Sequence, residues 1–363
     1  MSVIHSRDTL INDFYEFLNI NSSFDKSEIN IIIQLLKDYS QSNNKQIDKK
    51  IFSNLEKIVF KDIPIQAKYS LEKILNKHAN SGIYSDIKLK SRHIWILRSV
   101  LSRLKLFKRQ SKFDNKYISE INKNGIILIP NFLDSKDIAF IEKESKREPF
   151  ALNKGNTKTI MHSNKIFSKI NFYPRRLKYS SKLLEKISDF IYPLGYSNSY
   201  SINKNNINRS SFWQKINIIQ QEKDIQKDYH MDTFFPSLKF WYFPFKVNKL
   251  LAFNYAKSSH LLSLDRMILE SNKINALNFS KSHDNSIKDN DVSSLKSELE
   301  GSLRFSKKDL DKLNLEMSPH DVERNTLVVA DVSGLHSRAQ GSNIRDKSLR
   351  VAIHGNIRNL NNF

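Results

Sequence analysis

After residue 205 the chain is written in short runs of β-branched and aromatic residues bounded by polar, turn-forming stretches. Lys215-Ile216-Asn217-Ile218-Ile219-Gln220-Gln221 is the first such run, and Lys239-Phe240-Trp241-Tyr242-Phe243-Pro244-Phe245 the next. Leu251 to His260 forms another that ends in a turn, and Asn325 to Asp331 and Arg350 to Arg358 close the chain. Strands this short, with few helices between them, predict a jelly-roll or cupin-like barrel. Residues 270–320 break the pattern. They are long, charged and polar, with Leu at helical spacing near 295–315, as expected of a lid or surface excursion inserted between strands.

Upstream the texture differs. Residues 1–115 predict a helical region: Ser27 stands as a cap before the apolar run Ile29 to Leu36. Ile51, Leu55, Ile58 and Val59 follow helical spacing, and Ile65, Tyr69, Leu71, Ile74 and Leu75 predict a further helix. From Ile87 to Lys112 runs a basic amphipathic segment, with Arg92, Arg98, Arg103, Lys105, Lys108 and Arg109 among Ile and Leu. Two readings stand beside each other: a helix packed on its own domain with a solvated basic face, or a surface for membrane or partner. The boundary falls near residue 116. A helix ends at Gly125, Ile126 to Ile129 is a strand closed by Pro130, and Asp134 or Ser135 caps the next helix. Residues 155–210 are expected to be loops around one helix at Ser181 to Ile191. The fold class is therefore α+β: a double-stranded β-helix over 116–363, preceded by a helical, basic region over 1–115.

Composition limits the chemistry. The 363 residues include no Cys, which excludes disulfides, thiolate metal sites and thiol nucleophiles. A bound metal must be held by His, Asp or Glu. The net charge of +21 is compatible with an anionic substrate or surface. The lysines are spread along the chain, however, and no nucleic-acid-binding motif accompanies them, so nucleic acid is not the expected partner. The N-terminus lacks a signal-peptide pattern and no run is apolar enough to span a bilayer, so the expectation is a cytoplasmic protein.

Against that background one peptide stands out: Tyr229-His230-Met231-Asp232-Thr233-Phe234-Phe235. At a strand end, residues i and i+2 share a face. His230 and Asp232 then offer an imidazole nitrogen and a carboxylate to one point, two of the three ligands of a 2-His-1-carboxylate site of the kind that holds Fe(II). A third ligand is available in His336, just beyond the strand that ends at Asp331 and after Gly334, a residue that permits an unusual backbone angle. Arg350 opens the following strand, where a guanidinium can bind a carboxylate through two parallel hydrogen bonds.

Taken together, Asn124 to Leu133, His230 to Pro236, Asn325 to Asp331 with His336, and Arg350 with its strand resemble the phytanoyl-CoA dioxygenase family of Fe(II)/2-oxoglutarate-dependent oxygenases. The likeness covers roughly residues 116–363. It implies His230, Asp232 and His336 as iron ligands and Arg350 as the anchor for the far carboxylate of 2-oxoglutarate. By the same likeness Trp241 is either a wall of the co-substrate pocket or a core aromatic, and Lys239 and Thr233 are candidate 2-oxoglutarate contacts. A carboxylate at 232, where related halogenases carry a small residue, favours hydroxylation over halogenation, and the likeness implies a small-molecule, lipid-like or conjugated metabolite as substrate, with release of succinate and CO2. Two departures are notable: Asn248 to His260 lacks the glycines common in the family, and Ser337-Arg338 follows the distal His in place of a small residue. His260 is expected to be a structural turn residue, with a pocket role as the alternative, and His354 shares a strand face with Arg350. Alternatives from other classes are a non-catalytic jelly roll that only binds, or a peripheral membrane or nucleic-acid binder acting through 87–112.

Overall fold

The computed structural model describes residues 6–61, 71, 91–146, 157–162, 165–173, 180–196, 212–217, 228–247, 253–283, 303–338 and 349–357. For 144–146, 157–162, 165–173, 180–182, 212–217, 277–283, 338, 349–350 and 356–357 it describes the backbone only.

The chain opens with helices α1 (Arg7–Asn21), α2 (Lys26–Gln41) and α3 (Lys45–Val59), joined by α4 (Ile94–Gln110). The cap of α2 is Asp25. Its carboxylate accepts the Glu28 N–H at 2.8 Å while Glu28 accepts the Asp25 N–H at 3.1 Å. This reciprocal pair satisfies two orphan donors, which moves the helix start ahead of the expected cap, Ser27. Ile51, Leu55 and Val59 are buried along α3, in line with their spacing. The helix expected around Ile65 to Leu75 lies outside the described residues except for Leu71, which is helical and buried.

Helix α4 is packed on its own protein, but without the solvated basic face expected of it. Arg98 and Arg103 are buried together with Ile94, Trp95, Leu97, Val100, Leu101 and Leu104. They stay charged inside because each has a partner. The Arg98 guanidinium lies 4.4 Å from the centre of the Phe235 ring. Arg103 donates to backbone and hydroxyl oxygens from three other segments. Among the described residues no helix is long and apolar enough to cross a membrane.

Next come α5 (Lys116–Asn124), β1 (Ile126–Ile129) and α6 (Ser135–Lys146). Gly125 ends α5 with φ of 75°, and its amide closes on Ile121 O at 2.8 Å. Asp134, not Ser135, caps α6, accepting the Asp137 N–H at 2.8 Å. Then follow β2 (Thr157–His162), β3 (Lys165–Tyr173), α7 (Ser180–Ile191), β4 (Phe212–Asn217), β5 (Tyr229–His230), β6 (Leu238–Phe243) and β7 (Phe253–Ala256). The remainder is α8 (Leu264–His283), β8 (Arg304–Phe305), α9 (Lys307–Lys312), β9 (Met317–His320), β10 (Thr326–Asp331), β11 (His336–Arg338) and β12 (Leu349–Ile357).

Among the described residues all strand pairings are antiparallel and form two sheets. One runs β1-β10-β6-β12-β4-β3-β2, the other β8-β5-β11-β7-β9. Two expectations change here. The polar stretch 155–210 contains β2 and β3, outer strands of the larger sheet, defined by their ladder and not by an apolar run. The 270–320 stretch is not a simple excursion. α8 occupies its start, β8 pairs with Tyr229 and His230, and Ile274, Leu303, Phe305 and Leu310 are buried; residues 284–302 lie outside the described residues.

Three apolar layers hold the elements. Along β6, Leu238, Phe240 and Tyr242 face a layer with Ile121 of α5, Ile138 and Ile141 of α6 and Ile187 of α7. The alternate residues Trp241 and Phe243 face the other way, into a layer between the sheets with Val328, Ala330, Ala352, Phe253 and Tyr255. A one-residue slip of β6 would exchange the two sets, which fixes its register against β10 and β12. Truncating a side chain such as Phe240, fully buried, costs about 3–5 kcal/mol. The third layer joins α1–α4 to Met231, Phe234, Met267, Leu303 and Leu335, so the N-terminal helices share a core with the segments that flank β5 and β11.

Candidate metal centre

β5 and β11 are short, and their register makes His230 and His336 direct cross-strand partners. Side chains of such partners project on one face, and the two rings lie with centroids 4.5 Å apart. The chain leaves β5 at Met231, whose N–H bonds Leu303 O at 3.2 Å, and Asp232 is pinned by its own N–H to Val332 O at 2.8 Å. Asp232 therefore stands beside both rings. One donor atom from each of His230, Asp232 and His336 lies within 4.8 Å of the others. Among the described residues this is the one group of three side chains able to hold a metal ion.

The tautomers follow from the hydrogen bonds. Nδ1 of His230 lies 2.8 Å from Asp228 O, and Nδ1 of His336 lies 3.0 Å from Gly334 O. A carbonyl oxygen only accepts, so Nδ1 carries a proton in both rings, which leaves Nε2 as the nitrogen that a metal can take. The Nε2 atoms stand 4.0 Å (His230) and 3.5 Å (His336) from the Asp232 carboxylate. Burial, reinforced by the neighbouring His336, pushes His230 down to about 3, so its ring is neutral at physiological pH. Burial by itself would raise Asp232. The Lys239 ammonium in contact with it instead holds it well below the usual carboxylate range. Two imidazole nitrogens and one carboxylate oxygen, with both rings held by backbone, fit a first-row divalent metal such as Fe(II).

No family model matches the chain, and no curated protein does. Solved structures similar to it include the epimerase SnoN in complex with Fe3+, alpha ketoglutarate and nogalamycin RO, at 11% identity over 70% of this chain and 83% of that one, TM-score 0.40. HygX from Streptomyces hygroscopicus, with nickel and 2-oxoglutarate bound, matches at 10% identity over 68% of this chain and 87% of that one, TM-score 0.35. EctD from S. alaskensis, with bound Fe, matches at 11% identity over 68% and 76%, TM-score 0.37.

The other sequence-derived residues lie at varying distances from the triad. Lys239, on β6, touches Asp232 directly. The Thr233 hydroxyl donates to Phe235 O at 2.8 Å and so closes the turn after Asp232. Trp241 is buried in the layer between the sheets. Its ring stacks on His354 at 5.1 Å and lies 4.5 Å from Phe253, whose ring is 5.4 Å from His336. An aromatic series thus leads from His336 of the triad to His354. Arg350 sits on β12 opposite Ile216, and Arg338 on β11 opposite Phe253; both side chains lie outside the described residues. His260 is a buried turn residue. Its Nε2 donates to Asn122 O at 3.1 Å and ties the turn after β7 to the end of α5.

The sequence reading missed a buried polar cluster behind the triad. Asp331 accepts from Ser333 N–H at 2.9 Å, Ser333 Oγ at 2.7 Å and Tyr196 Oη at 2.8 Å, which shapes the turn leading to His336. Arg266 of α8 donates to Ser333 O at 2.5 Å and to Glu270 at 2.7 Å. Asp331 had one signal, a carboxylate closing a strongly apolar run. Arg103 and Arg266 had none, because they bind backbone oxygens remote in sequence. Gly334 differs from expectation in kind. It has no left-handed φ; a Cβ there would press on the Tyr255 ring, with Cζ at 2.6 Å.

Proposed function

We propose that this chain is an Fe(II)- and 2-oxoglutarate-dependent oxygenase of the double-stranded β-helix type, a cytoplasmic hydroxylase of a small molecule. One observation carries the reading: His230 and His336 meet on adjacent strands with both Nε2 atoms left for a metal and Asp232 beside them. That is the donor set of a 2-His-1-carboxylate iron site. Bound there, iron and 2-oxoglutarate would supply oxidation of a substrate by O2, with succinate and CO2 as the co-products.

The protein's share is binding and orientation. His230, Asp232 and His336 hold the ion, with Asp232 kept ionised by Lys239. Arg350 is the proposed anchor for the far carboxylate of 2-oxoglutarate, with Lys239 and Thr233 as further contacts, and Trp241 as a wall. Phe253 and Trp241 keep water from one side of the ligands, which strengthens every charge interaction there. The net charge of +21 favours an anionic substrate.

Anaerobic titration with Fe(II) and then 2-oxoglutarate tests the reading. The expected result is the weak visible charge-transfer band of the 2-oxoglutarate complex, lost in His230→Ala and Asp232→Ala and needing more 2-oxoglutarate in Arg350→Ala. Wild-type protein that gives no band and forms no succinate would refute it.

A further inference from the structure

Arg103 belongs to the helical region to which the sequence reading assigned no role, yet its guanidinium is buried between the two segments that carry the metal ligands. Nη1 donates to Phe234 O at 3.2 Å and to Ser99 O at 3.3 Å. Nη2 donates to His260 O at 2.9 Å and to Ser333 Oγ at 3.3 Å. Phe234 follows Asp232 by two residues, and Ser333 precedes His336 by three in the tight loop that presents it. Ser99, one helical turn before Arg103, donates through its own Oγ to the same Phe234 O at 2.5 Å. α4 thus grips the Asp232 segment twice, and through Arg103 it grips the His336 segment as well.

The chemistry of the grip is specific. Phe234 O and His260 O lie outside the strands, and a buried carbonyl must be satisfied. A guanidinium presents several N–H donors in one rigid plane, so one group can span two loops. Arg266 performs the same service for Ser333 O, and the carboxylates of Asp331 and Glu270 offset the two cations. A buried ionic cluster stabilises no better than well-packed apolar side chains would. What it supplies is a fixed geometry.

We propose that Arg103 is a positioning residue of the metal centre: it locks the Asp232 and His336 segments at the spacing at which their donor atoms meet one ion. The proposal rests on the reading of His230, Asp232 and His336 as metal ligands. It makes α4 a working part of the site.

The test uses the full chain with Co(II) as an oxygen-stable probe, and compares wild type with Arg103→Met, Arg103→Lys and Leu36→Ala. Leu36 is a buried apolar residue of α2, with no polar atom to bond the Asp232 or His336 segment. In folded Arg103→Met, Co(II) affinity is expected to fall about 10- to 100-fold and the visible Co(II) spectrum to change. Arg103→Lys, which keeps the charge but not the planar fork, is expected to lie between, and it carries the test if the Met variant does not fold. Leu36→Ala is expected to melt earlier with Co(II) affinity and spectrum unchanged. In metal-free protein, amide exchange at Asp232–Phe234 and Ser333–His336 is expected to be about tenfold faster in Arg103→Met, with β1 and β6 unaffected. Folded Arg103 variants with wild-type affinity and wild-type exchange would overturn the proposal. If wild type itself takes no Co(II), the metal reading fails, and the exchange data still decide whether Arg103 holds the two loops.

Discussion

His230 and His336 bond the same relative atom: each Nδ1 is tied to the carbonyl two residues before it, Asp228 O at 2.8 Å and Gly334 O at 3.0 Å. The same local device, at strands far apart in sequence, fixes both rings in one tautomer and turns both Nε2 atoms toward Asp232. Preorganisation of this kind reduces the entropy lost when an ion is held, because neither ring needs to search for its rotamer.

Metal binding should therefore appear as stability. With Fe(II) or Co(II) at about 100 times its Kd, the folded state gains about 2.7 kcal/mol by mass action. His230→Ala, Asp232→Ala and His336→Ala are each expected to lose that gain. Thermal melts with and without metal measure it, and a variant that keeps the full shift would place the ion elsewhere.

Gly334 precedes His336 by two residues, and the Tyr255 ring fills the space where its Cβ would be. The Tyr255 hydroxyl also donates to Asp331 O at 2.8 Å, so the ring is not free to retreat. Gly334→Ala is expected to cost about 1–3 kcal/mol by overpacking and to weaken metal binding by moving the loop that presents His336. Urea unfolding reads the first effect and Co(II) titration the second. An alanine variant with unchanged midpoint and affinity would show that the loop yields freely.

Much of this arrangement was legible because it follows local rules. β6 was legible as a short aromatic run, Phe240 to Phe243, closed by Pro244; its two faces were not, because Leu238, Phe240 and Tyr242 are as apolar as Trp241 and Phe243. His230-x-Asp232 pointed to two members of the triad, and a His after the run Thr326 to Asp331 pointed to the third. What escaped notice depends on contacts that have no local period. β2 and β3 are mixed polar runs made into strands by their neighbours. The burial of Arg98 and Arg103 is invisible in an amphipathic pattern that counts every Arg as solvated. The Asp25 cap was displaced to Ser27 in the sequence reading because a capping box needs both partners recognised at once.

Arg266 and Glu270 form a hydrogen-bonded i,i+4 pair on α8 that is almost wholly removed from solvent, at 2% and 1% side-chain exposure. Glu270→Ala leaves the Arg266 charge without its closest carboxylate and is expected to cost about 3–5 kcal/mol. Replacing both, Arg266→Met with Glu270→Leu, is expected to recover much of that stability. It should still loosen the Ser333 segment, since the donor to Ser333 O is gone. Denaturant midpoints of the single and double variants decide it. A double variant no more stable than the single would mean that the pair contributes far more than its charge balance.

His260 gives the fold a defined sensitivity to acid. Burial, with Arg103 and Arg266 nearby, pushes it down to about 4 despite the opposing pull of Asp331, while an unfolded chain carries it near 6.5. Between those values the unfolded chain binds a proton that the folded one does not, so stability rises with pH through that window and is level above it. From pH 8 to pH 5 the loss attributable to this ring is about 2 kcal/mol. His260→Gln keeps a donor for Asn122 O and cannot titrate. The stability difference between wild type and this variant is therefore expected to shift by that amount, in favour of the variant, on going from pH 8 to pH 5. Urea unfolding at the two pH values, in the absence of metal, measures it. A difference that does not change with pH would mean that His260 takes up its proton without leaving the fold.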